Sequence, residues 1–320
     1  MAFYQLGSKG PEVSSIQQRL QVLGNYLGPV DGIFDGGTEA AVKAFQRAAN
    51  LPVDGQVGPQ IWAALFQDTS IATPAIISEP LQFRCVALTG AFETNQPPPD
   101  CFAGLSGDFD GQGISFGVLQ WNLGQGTLQP LLQEMDQAHS DIVQQIFDQH
   151  YGELQAMLRA SRDEQLAWAR SIQNARHVLS EPWQGQFKSL GRQKAFQDIQ
   201  VEFASRLFEE AVSLCGSYGL WSARAAALMF DIKVQNGSIS DLVRAQIERD
   251  FKLLATDLPS DQAEVARMEI IANRRAEAAK PTWVEDVRAR KLTIANGQGR
   301  VHGNYYNLKD QYGIDLSPFT

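Results

Sequence analysis

The sequence predicts a mainly α-helical protein in two domains. A three-helix domain covers residues 1–68, a linker covers 69–79, and a larger helical domain with one small β element covers 80–320. Three observations carry this reading. Apolar residues recur at helical spacing along most of the chain. Two Asp-Gly pairs punctuate the first 68 residues, where glycine takes positive φ freely and aspartate bonds the backbone of its own turn. One proline- and glycine-rich stretch, TNQPPPDCFAGLSGDFDGQG, interrupts the helical pattern and leads into ISFGVLQW, a run of strand character.

In the first domain Val13, Ile16 and Leu20 mark one helix, and Asp31-Gly32 ends the connection that follows it. Thr38, Ala41, Val42, Phe45 and Gln46 mark a second helix, and Asp54-Gly55 turns the chain into a third bearing Ile61, Trp62 and Leu65. Residues 69–79, TSIATPAIISE, hold Pro74 and no strong period, which reads as a linker. Beyond it, Phe83, Val86, Ala87, Gly90 and Ala91 lie on a helix that ends at Glu93. After the insert and its strand, helical patterns run roughly over 127–158, 162–178, 194–216, 219–235, 238–256, 260–280 and 282–291.

The 320 residues leave room for two domains and a sizeable core. A net charge of −9 argues against a nucleic-acid binder, which carries a basic face, and suits a cationic polymer. No run of about 18 apolar residues appears, so no membrane insertion is expected. The opening MAFYQLGSKG lacks the pattern of a signal peptide, so synthesis in the cytoplasm and another route to any outside target are expected. Cys85, Cys101 and Cys215 make an odd count without metal-like spacing; reduced thiols are the favoured reading, with a Cys85–Cys101 bridge as the alternative. No cofactor or metal is expected, and the chain is expected to act as a monomer.

GSKGPEVSSIQQRL, VDGIFDGGTEAAVKAFQ and VDGQVGPQIWAAL together resemble the peptidoglycan-binding domain type 1 family over about the first 66 residues. The resemblance implies a module that targets cell wall or polysaccharide. Asp35 stands where the family usually has glycine, and Ile61 where threonine is common.

Two acids flank the non-helical insert. Glu93 ends an apolar helix beside Phe92, an environment that disfavours ionisation and suits a general acid. Asp110 lies 17 residues on, in a glycine-rich turn where backbone N–H groups and water favour the carboxylate. Carboxyls in opposed environments are the equipment of a glycosidase: one protonates the leaving oxygen, and the other serves as base or supports the cationic transition state. A separation of about 6.5–9.5 Å admits a water and predicts inversion, whereas about 5 Å predicts retention. Asp108, two residues before Asp110, is the rival for the second role. A calcium loop starting at Asp108 would place Gly113 correctly at its sixth position but Leu119 where a bidentate glutamate belongs, so calcium is rejected.

ALTGAFETN and GDFDGQGISFGVLQWNLGQGTLQPLL resemble the catalytic segment of glycoside hydrolase family 46 chitosanases, within the lysozyme-like superfamily. ALMFDIKVQNG at 227–237 is similar to a second motif of that family. The resemblance implies an α+β lysozyme-like domain with Glu93 as proton donor, Asp110 as second carboxylate and Ser115 positioning the water. Gln112 replaces the family's arginine, Ile114 its aromatic residue and Asn236 its histidine. Ser115-Phe116-Gly117-Val118-Leu119-Gln120 also looks like the Ser-x-Gly-x-x-Gln strand of lytic transglycosylases and goose-type lysozymes.

Gln120, Trp121 and Asn122 are candidates to line a sugar cleft, with core packing equally open to Trp121. Asp231 and Arg224 are read as a structural ion pair, His302 as structural, and RRAEAAK at 274–280 as a solvated helix face. The expected function is a cell-wall lytic glycosidase acting on the β-1,4 glycan of peptidoglycan as a muramidase. A chitosanase and a noncatalytic wall-binding protein are the alternatives.

Overall fold

The computed structural model describes residues 4–67 and 73–319, so residues 69–72 of the expected linker lie outside the described residues. The chain divides into two compact units, one formed by 1–85 with 209–320 and the other by 86–208.

The first unit opens with three helices, α1 (Pro11–Val22), α2 (Gly36–Ala48) and α3 (Pro59–Phe66). Proline at the first position of α1 and α3 starts each helix where an N–H has no partner to lose. Asp35 starts α2: its carboxylate accepts the Thr38 N–H at 2.7 Å, which gives it a role as a helix cap. Val13, Ile16, Leu20, Phe34, Val42, Val57 and Leu65 are fully buried between the helices.

The two Asp-Gly turns are each clasped by a buried glutamine. Gln17 Oε1 accepts the Gly32 N–H at 2.9 Å, while its Nε2 donates to the Asp31 carboxylate and the Ile33 carbonyl, both at 2.9 Å. Gln46 repeats the arrangement, accepting from Gly55 N at 2.9 Å and donating to the Asp54 carboxylate at 2.7 Å and the Gln56 carbonyl at 3.0 Å. The internal echo in the sequence is therefore a repeated way of satisfying buried backbone groups.

A 3₁₀ turn at Ala75–Ser78 precedes α4 (Leu81–Thr94), whose residues from Val86 onward belong to the second unit. That unit holds a three-stranded antiparallel sheet of β1 (Leu105–Ser106), β2 (Ser115–Phe116) and β3 (Trp121–Asn122), in the order β1-β2-β3. ISFGVLQW is thus two short strands and a tight turn, not one continuous strand. Gly117 (φ 91°) and Gln120 (φ 55°) reverse the chain between them. The pattern expected as one helix over 127–158 is three: α5 (Leu128–Ala138), α6 (Ser140–Phe147) and α7 (Tyr151–Arg159). Next come α8 (Arg162–Ser171), α9 (Trp183–Gly191), which periodicity missed, α10 (Lys194–Phe203) and α11 (Ser205–Ser217). Phe116 seats β2 in this helical core, stacking on Phe196 at 5.5 Å and meeting Phe187 edge-on at 5.2 Å.

From Glu209 on, the chain belongs to the first unit again. It adds α12 (Ala223–Asn236), α13 (Asp241–Phe251), α14 (Ser260–Glu277) and α15 (Val284–Asn296). A second β element, unexpected from the sequence, follows: a hairpin of β4 (Gln298–Val301) and β5 (Asn304–Asn307), then α16 (Leu308–Tyr312). Gly7 lies against this hairpin so closely that a Cβ there would sit 2.5 Å from the Tyr305 backbone nitrogen.

Two expectations about charges are corrected here. Asp231 does not pair with Arg224. It is fully buried and takes Arg290 as a two-pronged partner (Nη2 at 2.6 Å, Nε at 2.9 Å) together with Lys291. Arg224 donates to the Ala295 carbonyl instead. The 274–280 segment is not a solvated face throughout: Arg274 binds Asp250 at 2.6 Å and Glu277 at 2.7 Å, while Arg275 and Ala276 turn inward and are buried. His302 is held by Asp286 at 2.6 Å.

Candidate functional site

Every candidate site residue from the sequence lies in the second unit, on two adjoining features: the end of α4 and the loop and turn around β2. Glycine lets the two touch. A Cβ on Gly90 of α4 would fall 2.0 Å from Val118 Cγ2, so the last turns of α4 rest directly on the β2–β3 turn. Thr94 closes the helix by donating to the Gly90 carbonyl at 2.7 Å.

Glu93 is placed on this helix end, but its surroundings differ from those expected. Phe92 is fully buried and Glu93 is exposed. Successive helical residues point about 100° apart, so a core-facing phenylalanine turns its neighbour to solvent rather than sheltering it. Glu93 therefore lacks the apolar shelter expected from its neighbour Phe92.

The loop between β1 and β2 divides its two aspartates between different tasks. Asp108 is buried, 6% exposed, and is spent on holding the loop. Its Oδ1 accepts the Gly113 N–H at 2.9 Å, its Oδ2 meets Arg170 Nε at 3.3 Å, and its own N–H donates to Gln173 Oε1 at 2.8 Å. Asp110 stands exposed at the head of the loop, where Oδ1 accepts the Gln112 N–H at 3.0 Å and forms a local turn. Beside it Phe109 is 70% exposed, its ring 5.3 Å from that of His177.

The remaining candidates support the same surface. Phe116 points into the core, so its neighbour Ser115 faces the other way. Ser115 Oγ accepts Asn122 Nδ2 at 3.0 Å. Asn122 is itself buried, and its Oδ1 accepts the Gln125 N–H at 3.0 Å. Gln120 accepts from Ser106 Oγ at 2.8 Å and donates to the Gly117 carbonyl at 2.9 Å, so both ends of its amide stabilise the turn. Trp121 is half-buried against the helical core.

Sequence reasoning missed three residues here. Arg162, at the start of α8, donates to Gln112 Oε1 at 3.1 Å and to the Gly124 carbonyl at 2.8 Å, bringing a cation to the loop where Gln112 supplies none. Gln200 of α10 is fully buried and accepts the Val118 N–H at 2.7 Å. Gln173 grips the loop from the turn after α8. None has a local signal, because these contacts reach backbone or side chains 38 to 82 residues away.

Among the described residues no group of three His, Cys, Asp or Glu side chains is arranged to hold a metal ion. Cys85, Cys101 and Cys215 are free and buried, and burial pushes all three thiols up, Cys215 to about 12. No described helix is long and apolar enough to cross a membrane.

Residues 9–65 match the family described as "Putative peptidoglycan binding domain". The same region is similar to a spore cortex-lytic enzyme of Bacillus cereus, 42% identical over 65 residues, which are 20% of this chain and 25% of that protein. It is also similar to the N-acetylmuramoyl-L-alanine amidase CwlM of Mycobacterium tuberculosis, 39% identical over 66 residues, 20% of this chain and 16% of that protein. The chain thus spans about a quarter or less of the length of these curated relatives. Among solved structures, a native chitosanase from Bacillus subtilis MY002 aligns at 19% identity with a TM-score of 0.44, over 72% of this chain and 98% of that one. A Burkholderia AP3 phage endolysin aligns at 17% identity with a TM-score of 0.20, over 73% and 96%.

Proposed function

We propose that this chain is a cell-wall lytic glycoside hydrolase that cleaves the β-1,4 glycan strand of peptidoglycan, a muramidase-type activity. The observation that carries the catalytic reading is the division of labour in the β1–β2 loop. Asp108 is consumed in bracing it, which leaves Asp110 open to solvent in the unit that also carries Glu93 at its helix end. The peptidoglycan-binding match over 9–65 supports the substrate, since a wall-bound module raises the local concentration of glycan at a linked site.

In this reading Glu93 gives its proton to the glycosidic oxygen as the C1–O bond breaks. Asp110 takes a proton from the water that attacks C1. Ser115, its hydroxyl held by Asn122, positions that water. Gln120 and Trp121 shape the groove wall, and Asp108 keeps Asp110 in place. Because Glu93 is open to solvent, exclusion of water from it falls to the bound glycan. The enzyme works as a monomer at the cell wall.

The net charge of −9 favours a second substrate, cationic chitosan, on the same machinery. The test is the purified chain on peptidoglycan sacculi and on chitosan, with Glu93→Gln and Asp110→Asn as controls. New reducing ends from sacculi, lost in both variants, support the muramidase. Glucosamine oligomers from chitosan alone select the second reading. Activity unchanged by Glu93→Gln overturns the assignment of Glu93 as the acid, and no activity on either polymer favours a noncatalytic wall-binding protein.

A further inference from the structure

Within the first unit, a cavity of about 320 Å³ opens between the three-helix domain and the β4–β5 hairpin. One wall carries Glu39 of α2 and Asp54 and Gln56 of the second Asp-Gly turn; the hairpin contributes Arg300 and Tyr305, and Leu6 is among the remaining lining residues. The cavity is a built one. Gln46 holds the acidic wall, fixing Asp54 and the Gln56 carbonyl from the buried side. Arg300 and Tyr305 are direct cross-strand partners on β4 and β5, so guanidinium and phenol project side by side from one face of the hairpin. The close approach of Gly7 to Tyr305 fixes the hairpin against the helical domain.

The charges around this cavity do not neutralise one another across it. Glu39 pairs with Lys43 on its own helix at 3.0 Å, and Asp54 Oδ1 is taken by Gln46 and by the Gln56 N–H. Arg300 donates only a long bond, 3.4 Å, to the Gly303 carbonyl, and no ion pair among the described residues joins it to Glu39 or Asp54. Two carboxylates on one side, one of them beside Lys43, and a guanidinium on the other line a space complementary to a ligand carrying both charges.

We propose that this cavity binds a zwitterionic amino-acid terminus, the free ammonium and carboxylate at the end of a cell-wall stem peptide. The carboxylate meets Arg300 in a two-pronged bond, the ammonium faces Glu39 and Asp54, and the aliphatic stem lies along Leu6 and the Tyr305 ring. This site rests on the peptidoglycan reading above and is separate from the Glu93–Asp110 surface. It makes wall recognition a joint property of the helical domain and the β4–β5 hairpin, so the domain is expected to bind peptide only with the hairpin in place.

The test is calorimetric titration of the full-length Glu93→Gln chain with three probes: a disaccharide tripeptide ending in meso-diaminopimelate, the same compound amidated at its terminal carboxylates, and the peptide-free disaccharide. The free tripeptide binds, and amidation weakens it about tenfold. Arg300→Gln and Glu39→Gln each cause a similar loss for the free tripeptide only, with circular dichroism unchanged. Equal affinity for tripeptide and disaccharide, or tripeptide binding indifferent to Arg300→Gln, overturns the proposal. Lysis of sacculi by the wild-type chain is scored separately: lysis without tripeptide binding refutes the cavity alone. Tripeptide binding without lysis refutes the glycosidase and leaves the cavity standing.

Discussion

Replacing Asp108 and Asp110 one at a time separates holding the loop from acting on the glycan. Asp108→Ala removes a buried carboxylate that accepts the Gly113 N–H at 2.9 Å and leaves that buried N–H without its partner. A hydrogen bond to a charged group contributes about 1.5–3 kcal/mol. The Arg170 contact adds little, roughly 0–1 kcal/mol, because at 3.3 Å its arginine is 59% exposed. The expected loss is therefore about 1.5–4 kcal/mol, or ~5–20 °C in the midpoint of a cooperative unit of this size. Asp110→Asn keeps an oxygen that can accept the Gln112 N–H and sits in solvent, so its midpoint moves by no more than about 2 °C. Thermal unfolding followed by circular dichroism, paired with reducing-end release from sacculi, reads both effects. Asp110→Asn is expected to abolish release at near wild-type stability, whereas Asp108→Ala lowers the midpoint first. A stable, inactive Asp108→Asn beside an active Asp110→Asn would refute the assignment and exchange the two roles.

Three further outcomes are expected. Gly90→Val forces side-chain atoms into Val118, and overpacking of this kind costs about 1–3 kcal/mol; urea unfolding should show it, together with lost activity as α4 lifts from the β2–β3 turn. Burial pushes the Asp231 carboxyl up, but the charges and hydrogen bonds of Arg290 and Lys291 outweigh it and hold it below the ordinary carboxylate range. A depressed folded value means this contribution is complete above the unfolded value near 3.9 and is lost as pH falls below it. Unfolding free energies measured from pH 7 to pH 2 should decline in that acid window, and an Asp231→Asn chain, already lacking the contribution, should decline less. The three thiols, buried and with burial pushing them up, should resist iodoacetamide at pH 8 in the folded chain and react fully in guanidinium; rapid labelling of the folded chain would contradict their placement.

Local signals gave a sound reading of the three-helix domain, because its helices start at prolines and an aspartate cap and its turns carry Asp-Gly. The β4–β5 hairpin escaped notice since its two-residue turn is His302-Gly303, with φ of 50° and 82°, in place of the Asn-Gly or Asp-Gly that usually announces such a turn. The breaks within 127–158 fall at His139 and at Asp148 (φ 45°), where no glycine or proline marks them. Glu93 was placed correctly at a helix end, but its exposure depended on which face of α4 looks inward, and a neighbour in sequence is not a neighbour around a helix. The partners of Asp231 lie 59 and 60 residues downstream, beyond any spacing rule, and the burial of Asp108 beside an exposed Asp110 comes with contacts to Gly113, Gln173 and Arg170.

The two glutamine clasps have a consequence for how the small domain can vary. Each glutamine reads the backbone of an Asp-Gly turn, not the length of chain leading to it: Gln17 reaches its turn across 14 residues and Gln46 across only 8. The segment between α1 and the first turn is pinned at Tyr26, which is buried in the core and donates to the Pro29 carbonyl at 3.0 Å, while the adjoining Leu27 is 98% exposed at its crest. Insertions at Leu27 should be tolerated so long as Tyr26, the glutamine and its Asp-Gly remain. The exposed crest is thereby a graft site, able to be lengthened while the two clasps preserve the architecture around it.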